Sequence, residues 1–245
     1  MDRIRKSNLY LFIVSLTMSF ASIAQCQTSD STSLREGSWA LQFGIAGNFT
    51  LTSFQGTTIS AKYQLSARNA IRGGITISGS SSNGSSAFSA TNADTSIGSA
   101  SGSSHSSSQT ISFVAQYLWY LNPTGPVHSY TALGPSVSYS FSRNNSDNPN
   151  SNGDYVYHYI TSSSSTQHGA GITGSAGVEW FACQWLSIRA EYNESIQYQW
   201  GSNSSSTDYS STFASYIPSH SGNSGTSKGW NLSSSSVGFG VSIYW

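Results

Sequence analysis

Residues 237–245 read Val237-Gly238-Phe239-Gly240-Val241-Ser242-Ile243-Tyr244-Trp245. Large apolar side chains fill every second position, and the positions between hold glycine, serine or tyrosine. A period of two puts the first set on one face of a β-strand and the second set on the other.

The alternation returns seven more times upstream. Trp39, Leu41, Phe43 and Ile45 stand against Ala40, Gln42 and Gly44. Ile59, Ala61, Tyr63 and Leu65 stand against Ser60, Lys62 and Gln64, and after a turn at Ala67-Arg68-Asn69, Ile71, Gly73, Ile75 and Ile77 stand against Arg72, Gly74 and Thr76. Ile111 to Leu121, Leu133 to Phe141, Ala170 to Trp180 and Leu186 to Tyr192 complete a set of eight strands, with no helical stripe between them.

Composition agrees with this pattern. The 245 residues carry zero net charge, 8% charged residues and 13% aromatics, against a usual charged fraction of about 25%. Mean hydropathy is −0.26, which excludes a bundle of membrane helices. The abundance of aromatics excludes a disordered chain. Polarity comes from uncharged side chains, 57 of them serine. No basic surplus exists to neutralise phosphates, so nucleic acid is excluded as a partner.

Residues 1–24 read as a secretory signal. Arg3, Arg5 and Lys6 precede the apolar stretch Leu9–Phe20, and Ser22-Ile23-Ala24 offers small residues for cleavage after Ala24. Residues 25–37 then form a short periplasmic segment before a barrel domain at 38–245.

Connections between the strands alternate in length. Those near 66–69, 122–128 and 181–185 are short, whereas those near 79–109, 142–166 and 200–229 are long and rich in Ser, Gly and Asn, with a shorter one near 49–57. Up-and-down outer-membrane barrels sort their turns and loops in this way. A soluble sandwich would also place Lys and Glu on its polar face, and this chain has few. The expected fold is therefore all-β: an eight-stranded antiparallel up-and-down transmembrane β-barrel with long extracellular loops, its apolar face toward lipid. Trp39, Tyr63, Trp119, Trp180 and Trp245 then share the periplasmic height and the outward parity, as an aromatic girdle does. Outer-membrane lipid is the implied surrounding.

The tail Phe239-x-Val241-x-Ile243-x-Trp245 resembles the C-terminal signal of outer-membrane barrels, although phenylalanine is the commoner last residue. Gly177-Val178-Glu179-Trp180-Phe181 with Leu186-Ser187-Ile188-Arg189-Ala190-Glu191-Tyr192 resembles the penultimate hairpin of the outer membrane protein beta-barrel domain family, the small OmpA/OmpX-type barrels. The resemblance implies an eight-stranded barrel in the outer membrane, handled by the barrel-assembly machinery during biogenesis. The long serine-rich loops have no counterpart in that family.

Five charged residues, Lys62, Arg72, Glu179, Arg189 and Glu191, have the inward parity and lie close to short turns. In a lumen just wide enough for its side chains, they should pair into a plug, because an unpaired buried charge is costly. A charged constriction in a small channel is the alternative. Small residues above them, among them Gly44, Gly169, Gly171, Gly238 and Gly240, leave room for an upper water-filled pocket. Catalysis is not expected. His158 with Asp154, and His168, are the best candidates for a lipid-modifying or protease-type site, but a serine near a histidine is uninformative in so serine-rich a chain. No spacing of His, Cys and Asp suits a metal, and no cofactor is expected. Cys26 and Cys183 both fall on the periplasmic side, where a disulfide between them and two separate thiols both stay open. Tyr155, Tyr157, Tyr159, Tyr209, Phe213 and Tyr216 place aromatics among the loop serines, suited either to an extracellular ligand or to cross-strand packing. The expected role is structural or interactive, with a channel, a lipid-modifying enzyme and a secreted β-sandwich adhesin as alternatives.

Overall fold

The computed structural model describes residues 34–45, 57–92, 95–152, 155–211, 219–234 and 237–245. Their regular elements are nine strands: β1 (Trp39–Ile45), β2 (Thr57–Ser66), β3 (Asn69–Asn92), β4 (Thr95–Tyr120), β5 (Val127–Asn152), β6 (Tyr155–Cys183), β7 (Leu186–Ser211), β8 (Ser219–Ser234) and β9 (Gly238–Tyr244). From β1 to β8 each strand pairs antiparallel with the next, and β9 pairs with both β7 and β1. The sheet thus closes on itself.

β8 and β9 are two parts of one stave. β7 pairs Glu194 with Ser234 on β8 but Glu191 with Gly238 on β9, so the register slips by one residue between them. Eight staves make the ring, as the alternation predicts.

Apolar and polar side chains are sorted outward and inward. Ile77, Ile172 and Leu133 are 60%, 58% and 51% exposed, whereas Gln42, Gln64 and Glu179 are at most 1% exposed. A β-sandwich requires the reverse, with apolar faces packed together, so the sandwich alternative falls. Within the apolar band of the described residues one carboxylate faces outward: Glu194, which accepts a hydrogen bond from Tyr192 Oη at 2.9 Å.

The short-turn end of the lumen holds an apolar cluster. Leu34, Ala70, Leu118, Tyr120, Tyr130 and Ala132 form a buried cluster, with Phe181 against it. Leu34 belongs to the segment before the barrel, so the end of that segment forms part of the floor. It is led there by a turn in which Gly37 has φ 84°, a value favouring glycine, and Gly37 N donates to Gln64 O at 2.9 Å. The signal segment lies outside the described residues.

The long connections differ from irregular loops. β3 to β7 run 24 to 29 residues each, more than twice the roughly 10 that a membrane crossing needs. Most of residues 79–109, 142–166 and 200–229 therefore continue the barrel strands as hairpins. Ser80 pairs with Ser108, Ser163 with Asn144, and Ser204 with both Ser164 and Ser224. Reading strands by hydrophobic contrast misses these stretches because both of their faces are polar. The backbone ladder holds them, and it needs no apolar side chain. Among the described residues, the part of β3 above Ile77 pairs only with β4, and β8 only with β7. The ring thus opens upward into a six-stranded sheet.

Closure at the β1–β9 seam predicts a cross-link. Gln42 and Ser242 face each other there, with Nε2 donating to Oγ at 3.0 Å. Gln42→Cys with Ser242→Cys should form a disulfide that keeps the compact electrophoretic mobility after boiling in SDS, and reductant should abolish it. Failure to cross-link would contradict the seam.

Candidate functional site

The five inward charges lie on four staves and meet in the lower lumen. Strand pairing places Lys62 beside Arg72 and Glu179 beside Arg189. The ion pairs nevertheless form mainly across the lumen. Lys62 Nζ lies 2.9 Å from Glu179 Oε2, linking β2 to β6, and both side chains are 1% exposed. Arg72 Nη1 lies 2.6 Å from Glu191 Oε2, linking β3 to β7. Arg189 Nη1 reaches the same Glu191 oxygen at 3.2 Å.

Tyrosines, serines and Gln116 add further hydrogen bonds to the cluster. Tyr120 Oη accepts from Lys62 at 2.7 Å and donates to Glu179 Oε2 at 2.8 Å. Tyr244 Oη accepts from Lys62 and donates to Glu179 Oε1 at 2.6 Å. Ser187 Oγ donates to the same Oε1 at 2.5 Å. With Ser242 Oγ donating to Oε1 at 3.3 Å, Glu179 thus has Lys62 and four hydroxyls around it, a set that offsets the loss of water from a buried carboxylate. Around Glu191, Tyr130 Oη donates at 2.5 Å. Arg72 Nη2 donates to Gln116 Oε1 at 2.5 Å, and Gln116 Nε2 passes the network to Ser175 Oγ at 2.7 Å. Below, His128 is fully buried, with Nδ1 donating to Asn122 O at 2.8 Å and its ring edge-on to Phe181.

Tyr120, Tyr130, Tyr244, Gln116 and His128 complete the plug, yet residue type alone does not select them. Their inward parity was legible: Tyr244 shares a face with Gly240 and Ser242. The tyrosines are hidden by the habit of reading aromatics as apolar payload, although a phenol also carries a polar end.

Glycines make room for the long side chains. A Cβ on Gly177 would sit 2.8 Å from Tyr130 Oη, and one on Gly240 would sit 2.8 Å from Arg189 Nε. Gly44, paired with Gly240, likewise lies under Arg189 Nη2. Above the plug a cavity of about 360 Å³ is lined by Arg72, Arg189, Gln116, Ser112, Ser136 and Thr76, among others. Of the small residues expected around an upper pocket, Gly44 and Gly238 line it, whereas Gly169, Gly171 and Gly240 do not.

Aromatics gather at two heights on the outer surface. Trp39, Trp119, Trp180 and Trp245 are outward and 40 to 69% exposed at the short-turn end, with Tyr63 packed on Trp39 at 4.9 Å. A second group lies higher on β5 to β8, assembled by the register of these strands. His168 stacks on Trp200 at 5.7 Å and meets Tyr139 at 5.2 Å, and Tyr198 bridges Trp200 to Trp230.

Among the catalytic candidates, His168 belongs to this upper aromatic group. Asp154 and the side chain of His158 lie outside the described residues. No His/Cys/Asp/Glu group suited to a metal occurs among the described residues. Cys183 is disulfide-bonded, and Cys26 lies outside the described residues. Tyr159 and Tyr209 pack edge-on across β6 and β7 at 5.1 Å; Phe213 and Tyr216 lie outside the described residues.

No protein-family model and no curated protein matches this chain. Several solved structures are similar to it. The N-terminal β-barrel domain of OprF from Pseudomonas aeruginosa has a TM-score of 0.38 and 11% identity, over 86% of this chain and 98% of that one. A major outer membrane protein from Thermus thermophilus has a TM-score of 0.41 and 15% identity, over 85% and 99%. The attachment invasion locus protein Ail of Yersinia pestis has a TM-score of 0.29 and 13% identity, over 85% and 99%.

The network predicts an asymmetry between single and double variants. Lys62→Met strands Glu179 and should cost about 3–5 kcal/mol, whereas replacing both partners removes the penalty of an orphaned charge. Urea unfolding of Lys62→Met, and of Lys62→Met with Glu179→Gln, should show the double variant recovering most of the loss.

Proposed function

We propose that this chain is an integral outer-membrane β-barrel with a sealed lumen, whose hairpin extensions present a Ser/Gly/aromatic surface outside the cell. Its role is envelope structure or surface contact. The observation that carries this reading is the outward apolar band bounded by two aromatic groups. From Trp180 to His168 there are twelve residues of β6, about 40 Å of strand at ~3.3 Å per residue. A tilt of about 40° reduces this to ~30 Å along the barrel axis. That height matches the hydrocarbon core of a bilayer, about 30 Å, and amphipathic rings favour the two boundaries of such a layer. A closed ring also satisfies the requirement that backbone polar groups find partners away from water.

The lumen favours plug over channel. Lys62, Glu179, Tyr120 and Tyr244 bridge its walls, and the Leu34 cluster closes the end beneath them. The outward residues Phe239, Val241, Ile243 and Trp245 give the assembly machinery an accessible apolar edge during insertion. We take Cys26, the other cysteine of the sequence, as the partner of Cys183, tethering the start of the mature chain to the β6–β7 turn. A catalytic role has less support: His168 stacks within the upper aromatic group and His128 is buried beneath the plug.

Membrane fractionation with heat-modifiable gel mobility tests the location. The protein should sediment with outer membranes and migrate faster unboiled than boiled, and recovery from culture supernatant would overturn the assignment. In planar bilayers the wild type should show no steady conductance steps; regular steps would sink the sealed lumen.

A lipid-facing band also predicts the cost of a surface charge. Ile172→Arg, outward in the middle of the band, should destabilise the barrel in lipid vesicles by about 2–4 kcal/mol. Ser202→Arg, on the hairpin extension, should change stability by less than ~0.5 kcal/mol.

A further inference from the structure

The plug is not electrically balanced. Lys62 and Glu179 neutralise each other, which leaves Arg72 and Arg189 sharing the single carboxylate of Glu191. One Glu191 oxygen, Oε2, already receives Arg72 Nη1, Arg189 Nη1 and Tyr130 Oη. Arg72 is further held by Gln116 through Nε and Nη2. Arg189 is not so held. It is 6% exposed, and among the described residues its Nε has no hydrogen-bond partner. Its guanidinium lies over the bare backbones of Gly44 and Gly240, where a Cβ would come within 3.4 Å of Nη2 or 2.8 Å of Nε. The two facing glycines thus provide a bed for this one side chain. Arg189 and Arg72 both border the cavity of about 360 Å³, and Thr76, Ser112 and Ser136 place hydroxyls around it.

We propose that this cup is a binding site for a small oxyanion, a carboxylate or a compact phosphate, with Arg189 as its principal cationic contact. A guanidinium that borders a cavity favours a planar or tetrahedral oxyanion, which can accept two of its N–H groups at once. The bound anion would supply the negative charge that the plug lacks. Glu191 and Glu194 also border the cup. The first is engaged by both arginines, and the second has the outward parity, with its Oε1 bonded to Tyr192. Their charges restrict the site to small anions seated at the arginine end.

The test is equilibrium unfolding of the full-length protein, folded in detergent micelles, in a sodium formate series. Formate serves as the probe because phosphate and sulfate stabilise folded proteins generally. In the wild type the unfolding free energy should rise with the logarithm of formate concentration above a Kd on the order of millimolar. At ten times that concentration the unfolding constant should have fallen about ten-fold. Arg189→Gln should lose the logarithmic response, and so should Ser112→Phe, which fills the cup without altering any charge. Arg143→Gln, on the hairpin extension, should retain it. If Arg189→Gln does not fold, Ser112→Phe decides. A wild-type response that is absent, or that is merely linear in formate concentration as a bulk salt effect is, would overturn the site, as would a logarithmic response that survives in Ser112→Phe. The compact unboiled form on gels monitors folding throughout, so this result is independent of whether the barrel resides in the outer membrane.

Discussion

Closure of the sheet between β1 and β9 is the constraint on which the other features depend. In the closed zone every stave has a neighbour on both sides, so apolar side chains can face outward without exposing a row of unpaired backbone groups. Closure also defines a lumen narrow enough for opposite walls to touch. Lys62 and Glu179 are 117 positions apart in sequence, and the ring brings them to hydrogen-bonding distance. In an open sheet the same residues would project from distant strands into water, and their attraction would be small.

The interior works by complementarity of size. Glycines at 177, 240 and 44 are placed where a phenol or a guanidinium must pass or lie flat, and the long side chains come from other staves. Gly177 lets Tyr130 reach Glu191, and Gly240 lets Arg189 lie against the wall. Alternation of large and small residues thus arranges the polar contacts, and the contacts in turn hold the staves in register. A buried ionic network of this kind is modest evidence for net stability. Its clearer consequence is a lumen crossed by side chains from β2, β3, β4, β5, β6, β7 and β9.

Above the ring the physical basis of the structure changes. The extensions of β3 to β8 have serine, glycine and asparagine on both faces, so they have little apolar surface to bury. They are held by backbone pairing, by hydroxyl contacts such as Ser164 with Ser204 at 2.9 Å, and by isolated aromatic pairs such as Tyr159 with Tyr209. Their register continues that of the barrel below, where the strands are already aligned. This part of the molecule is polar on both faces.

Much of this was legible in the residues themselves. Alternation of period two reports which side chains share a face, and turn residues such as those at 66–69 and 122–126 report where a strand ends. The eight staves, their outward and inward faces, the lower tryptophans and the five luminal charges follow from those local signals. The serine-rich hairpins did not follow, because a strand with two polar faces lacks the contrast that reveals a period. Nor did the upper aromatic group, because His168, Trp200 and Trp230 become neighbours only through the register of β6, β7 and β8. The amino-acid order by itself thus determined which side of each strand is polar, since that depends on residues two positions apart. Tertiary structure alone decided which charge meets which: partner choice depends on ring closure and cross-lumen distance, and both arise from pairing between strands far apart in the chain.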